Sequence, residues 1–152
     1  MIPGMKKSVV WFAIAAIAAL AACNSSTVNN NPGPCGSPPG VSQTVLVYPA
    51  PGATGVPDAI PQVIVGSTSA IPSGWGVTVV STIGQGVNGA PFTTAPTPLP
   101  TPNQIPSFAN PVYQSSTVNA SPGFAGSTVT VYLNNLNSSC LPSQNIGTFT
   151  TQ

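Results

Sequence analysis

Proline is what most limits the folds open to this chain: it has nineteen, and all but Pro3 lie at or beyond Pro32. Each proline lacks a backbone N–H and costs about 3 kcal/mol inside a helix. Long helices are therefore disfavoured beyond the first thirty or so residues, and strands must be short. The apolar pattern agrees. Runs that alternate with period two recur between Gly/Pro turns: Gln43–Tyr48, Gln62–Ser67, Val77–Thr82, a short segment near Phe92, Pro111–Val118, Thr128–Asn134 and Gly147–Thr151. In the clearest, Val129, Val131 and Leu133 are expected to face a core, with Thr128, Thr130 and Tyr132 outward; Phe149 is expected inward on the last. About seven antiparallel strands of this kind predict an all-β sandwich. Thr94–Pro111, with Thr-Pro-Leu-Pro-Thr-Pro at 97–102, is expected to run extended and polyproline-like across it.

The first segment has a different character. Lys6 and Lys7 precede the apolar run Val9–Ala22. As a helix that run spans roughly 21 Å, short of the roughly 30 Å hydrocarbon core. It reads as a secretory signal. Its end, Leu20-Ala21-Ala22-Cys23, resembles the lipobox of bacterial lipoproteins. The resemblance implies cleavage before Cys23, acyl chains such as palmitate on that cysteine, and an anchor in the cell envelope. The alternative is an ordinary secretory signal that ends in cysteine. Asn24 is not the aspartate that commonly retains such proteins in an inner membrane, so in a cell with two membranes the resemblance favours the outer one. Translation from Met1 or Met5 leaves the same product. The expected organisation is a signal peptide over 1–22, a lipidated terminus and flexible linker over 23–42, and a β-domain over 43–152 containing the Pro-rich segment 94–111.

Tyr48-Pro49-Ala50-Pro51-Gly52-Ala53-Thr54-Gly55-Val56-Pro57 resembles the opening of bacterial immunoglobulin-like domains of surface and S-layer proteins. In those, Pro-x-x-Gly-Ala-Thr-x-Val-Pro joins the first two strands. Gly147-Thr148-Phe149-Thr150-Thr151 resembles their last strand. The resemblance implies an immunoglobulin-like sandwich in a structural or adhesive role, with Val56 closing one end of the core. It departs from the pattern at Val129, where the tyrosine of a tyrosine corner is usual.

Charge narrows the function. The chain has two cations, both in the leader, one acidic residue, Asp58, and no histidine. With no Lys or Arg beyond the leader to neutralise phosphates, nucleic acid is excluded as a partner on physical grounds. General acid–base catalysis needs His, Glu, Asp or Lys near its working pH, and a serine without a base is inert. Asp58 sits in a Val-Pro-Asp-Ala turn and reads as a turn former. No enzyme activity, catalytic residue, cofactor or metal site is therefore expected. Two candidates for ligand contact stand out, Trp75 between Gly74 and Gly76, and Tyr132. An exposed ring could stack on a sugar, but the favoured reading of Trp75 is that it starts the third strand and packs into the core. The Asn-rich stretch 134–137 could line a glycan or form turns.

Cys35 and Cys140 remain once Cys23 is lipidated. In a seven-strand sandwich the first and last strands begin at one end, which would bring these two together as a disulfide in an oxidising compartment. Two free thiols are the alternative. The leading expectation is a non-catalytic envelope lipoprotein that binds a protein or wall partner. The runner-up is a carbohydrate-binding module.

Overall fold

The structure, a computed structural model, describes residues 36–120, 123–138 and 144–152. These residues form eight strands and no helix: β1 Thr44–Tyr48, β2 Gln62–Ser67, β3 Trp75–Ser81, β4 Gly86–Asn88, β5 Thr93–Thr94, β6 Val112–Thr117, β7 Thr128–Asn135 and β8 Gln144–Thr150. They make two four-stranded antiparallel sheets, ordered β1-β2-β6-β5 and β4-β3-β7-β8. Lettered along the chain with β4 as C′, this is A-B-E-D against C′-C-F-G, the immunoglobulin constant plan with one added edge strand. The expected seven strands are thus eight. The addition, β4, is three residues, Gly-Val-Asn, too short and too poor in apolar residues to show a period.

Alternation places Leu46, Val63 and Val65 inward from one sheet, and Val77, Val79, Val129, Val131, Leu133 and Phe149 from the other. Each such side chain contributes on the order of 1.5–3 kcal/mol on burial. Val56, Ile60, Val118 and Phe124 close one end, and Val41, Ile71 and Trp75 the other. Val56 is 3% exposed, so it occupies the core-closing position that its motif implied. Val41 and Pro38 are buried, and Gly40 accepts a 2.6 Å hydrogen bond from the Ser69 hydroxyl. The folded body therefore starts a few residues before position 43, within the stretch read as linker.

At the corner before β7, the Phe124 carbonyl accepts hydrogen bonds from the hydroxyls of Ser127 and Thr151. Ser127 N–H in turn donates to Thr151 Oγ1 at 3.1 Å. The two small hydroxyls of Ser127 and Thr151 thus tie a corner that a tyrosine would otherwise tie.

The sheet β1-β2-β6-β5 has apolar residues on its outer face as well. Val47 and Ile64 lie outside the central cluster yet are 0% exposed. The long connection from β5 to β6 forms a strap over this face. Ala95 N–H donates to Tyr113 O at 3.2 Å, Ala50 N–H to Pro102 O at 3.1 Å, and Gln104 N–H to Val47 O at 2.9 Å. The strap thus leaves β5 at one edge, reaches β1 at the other and returns to β6. It bends at 97–98, 101–102 and 107–110, so the expectation of one extended polyproline-like run is corrected, while its course across the sandwich is observed. The cause is tertiary: the apolar outer face draws the strap down onto it.

Pro106 is buried against Gly66, where an added Cβ would lie 2.6 Å from Pro106 Cγ and 3.2 Å from Val47 Cγ2. Gly66→Ala is therefore expected to lift the strap and cost about 1–3 kcal/mol in urea denaturation. Removing the opposing ring in Gly66→Ala/Pro106→Ala should relieve part of that cost. Simple additivity of the two single changes would mean that the contact is not what requires glycine.

The sheet edges are short or covered. β5 has two residues and β4 three. Along β8, Gly52 N–H donates to Thr148 O, Thr150 N–H to Ala53 O, Val56 N–H to Thr150 O and Gln152 N–H to Val56 O, at 2.7–3.1 Å. The Pro-x-x-Gly-Ala-Thr segment is thus bonded along the last strand, which blunts an edge that could otherwise pair with another chain.

Candidate interaction face

β7 positions the face opposite the core. Its outward residues Thr128, Thr130, Tyr132 and Asn134 alternate with its inward valines and leucine. The ladder then sets their neighbours. Thr128 pairs with Thr150, Thr130 with Thr148 and Val80, and Tyr132 with Thr78 and Asn145. Thr78 in turn pairs with Asn88 of β4. The outer face of β4-β3-β7-β8 is therefore built mainly from hydroxyls, amides and one phenol, with Val80 as an apolar member.

Part of this face is a hydrogen-bonded row. Asn134 Nδ2 donates to Thr78 Oγ1 at 2.9 Å, and Thr78 Oγ1 donates to Asn88 Oδ1 at 2.7 Å. Thr78 and Asn134 are nearly buried, whereas Asn88 is exposed and keeps its NH₂ toward solvent. The row fixes the amide orientations and leaves donors at the rim. Tyr132 is partly exposed beside it, and exposed Asn145 uses its Oδ1 to accept Gly147 N–H at 2.9 Å. Sequence reasoning found Tyr132 but missed the partnership of Thr78 and Asn88. That link depends on β4, whose Gly-Val-Asn-Gly signal reads as a turn.

Trp75 takes the favoured core position, and its candidacy as a ligand contact is corrected. It is 5% exposed and belongs to the core cluster, so its ring is not available for stacking on a sugar. The cause is register: Trp75 pairs with Asn135 and shares the inward side with Val77 and Val79. The loops around it are tied together, Leu136 N–H donating to Gly74 O at 2.8 Å. In the Asn-rich stretch, Asn135 Oδ1 accepts Asn137 N–H at 3.0 Å, the turn-forming use of an asparagine.

Asp58 is exposed; its Oδ1 accepts Ala59 N–H at 2.8 Å, and its main-chain O accepts Phe124 N–H at 3.0 Å. Among the described residues no three His, Cys, Asp or Glu side chains group as metal ligands. Cys23, Cys35 and Cys140, and with them the lipidation, cleavage and disulfide expectations, lie outside the described residues. No family model, curated protein or solved structure matches the chain.

Proposed function

We propose that this chain is an exported lipoprotein, anchored through acylated Cys23 in the cell envelope, whose immunoglobulin-like sandwich is a non-catalytic interaction module. In a cell with two membranes the anchor is in the outer one. The observation that carries the interaction role is the outer face of β4-β3-β7-β8, where Tyr132 stands among hydroxyls and oriented amides. Such a face recognises by shape, hydrogen bonding and ring contact, with no ion pairs. Composition supports a role without catalysis, because Asp58 is the sole carboxylate side chain and it holds a turn. The anchor rests on Lys6-Lys7, the apolar run and Leu20-Ala21-Ala22-Cys23. β1 continues from the linker, so the face stands along the body rather than at its tethered tip.

The test is binding of the lipid-free chain to envelopes isolated from the producing organism, wild type against Tyr132→Ala. Loss of a central tyrosine costs about 1–2 kcal/mol, so roughly tenfold weaker binding is expected. Equal binding by the two proteins would remove this face from the function. Protease treatment of the envelopes should abolish binding to a protein partner. If soluble wall polysaccharide abolishes it instead, the module is carbohydrate-binding, the alternative that Tyr132 and the neighbouring Asn side chains keep open.

A further inference from the structure

We propose that the strap between β5 and β6 is an acceptor site for O-glycosylation, with Thr97 and Thr101 as the modified residues. Ser/Thr-Pro segments of this composition are typical O-glycan carriers, but composition alone does not say which hydroxyls are within reach of a transferase. The structure separates them. Thr97 and Thr101 are both exposed, each is followed by an exposed proline, and neither hydroxyl has a hydrogen-bond partner among the described residues. Their backbone is also unencumbered. Between the anchor at Ala95 and the one at Pro102, the one hydrogen bond to the main chain among the described residues comes from Asn103 Nδ2 to Pro100 O, at 2.8 Å. The prolines at 96, 98 and 100 have no N–H with which to fold this stretch back on itself. A transferase could therefore engage residues 96–101 without opening a sheet.

Thr93 and Thr94 are an internal contrast a few residues away. Both are exposed, but they form β5 and pair with Ser115 and Gln114 of β6, and the Thr93 hydroxyl is spent on Ser115 O at 3.3 Å. The strap also has a physical need for added hydration. Ile105 is 75% exposed, Leu99 is partly exposed, and the segment carries no charge. Bound sugar would supply the solvation that charged side chains supply on most surfaces.

The reaction is glycosyl transfer from a sugar carried on a lipid or nucleotide phosphate. The threonine Oγ1–C1 bond forms as the C1–O bond to phosphate breaks. The carrier phosphate departs with that electron pair, and the hydroxyl proton passes to a base of the host transferase.

The inference rests on the export half of the proposed function, and one measurement separates the two. A protease that cuts before aspartate cuts this chain once, ahead of Asp58. After reduction, the piece ending at Pro57 would carry acyl mass and the piece 58–152 would carry sugar. With protein purified from the producing organism, piece 58–152 is expected to exceed its sequence mass by hexose-class increments. They should vanish in Thr97→Ala/Thr101→Ala, whose melting temperature should match wild type, and persist in Thr93→Ala/Thr94→Ala. A bare 58–152 piece, a phosphate-class increment, or increments that survive Thr97→Ala/Thr101→Ala would each overturn the proposal. A bare 58–152 beside an acylated partner piece would leave the anchor reading standing.

Discussion

Phe149→Ala is expected to destabilise the protein by about 3–5 kcal/mol, from lost burial and the cavity left behind. The ring is 1% exposed, pairs through its backbone with Val129, and packs in the cluster where the two sheets meet. Domains of this size are commonly stable by about 5–15 kcal/mol, so the change removes a large share of the total. Trp75 is the one tryptophan outside the leader and is itself buried, so its emission during denaturant unfolding reads the transition directly. Phe149→Leu should lose much less, since it refills part of the volume. A midpoint for Phe149→Ala within about 1 kcal/mol of wild type would mean that β8 is not the wall of the core.

We propose that Cys35 and Cys140 are bridged, and reduction is then expected to cost up to roughly 4–5 kcal/mol, the chain-entropy value for a loop of about 105 residues. Thr44 opens β1 opposite Ser67, where β2 ends. The connection from Ser67 leads to Trp75, which pairs with Asn135, and Leu133 pairs with Gln144, where β8 opens. β1 and β8 therefore start at one end, with Cys35 nine residues before the first and Cys140 four before the second in sequence. Oxidised wild type should unfold at higher denaturant than Cys35→Ser/Cys140→Ser, and reductant should lower the first without moving the second. A wild-type midpoint indifferent to reductant would assign both cysteines as free thiols.

How much of this was legible in sequence differs element by element. β7 stands where alternation put it, because one face lies on the core and the period of two then shows in the residue types. β2 keeps its expected bounds although Ile64 interrupts the period, since the outer face of this strand is buried as well. β8 starts at Gln144, earlier than the apolar signal, since Gln144 and Asn145 are held there by pairing with Leu133 and Tyr132. β4 was invisible because its pairing with Val79 and Val80 comes from the neighbouring strand and not from its own side chains. Tyr132 could be assigned outward from parity along β7. Trp75 was favoured as core from its place at the start of the third strand, although its flanking glycines suit an exposed ring as well as a crowded one. Gly76 proved to be the crowded kind, with an added Cβ 2.8 Å from Ala90 O and 2.9 Å from Leu136 Cδ1.

By itself the sequence determined the all-β class of the domain, since its prolines disfavour long helices and the proline-free stretches 73–90 and 123–141 alternate with the period of strands. It also determined the near absence of charge. Tertiary structure alone decided that Trp75 is core, that Thr78 joins Asn88 and Asn134 in one row beside Tyr132, and that the strap covers Val47 and Ile64 while presenting Thr97 and Thr101. The physical reason is range. Local pattern records which face of a strand is apolar, whereas what covers that face depends on contacts between residues tens of positions apart.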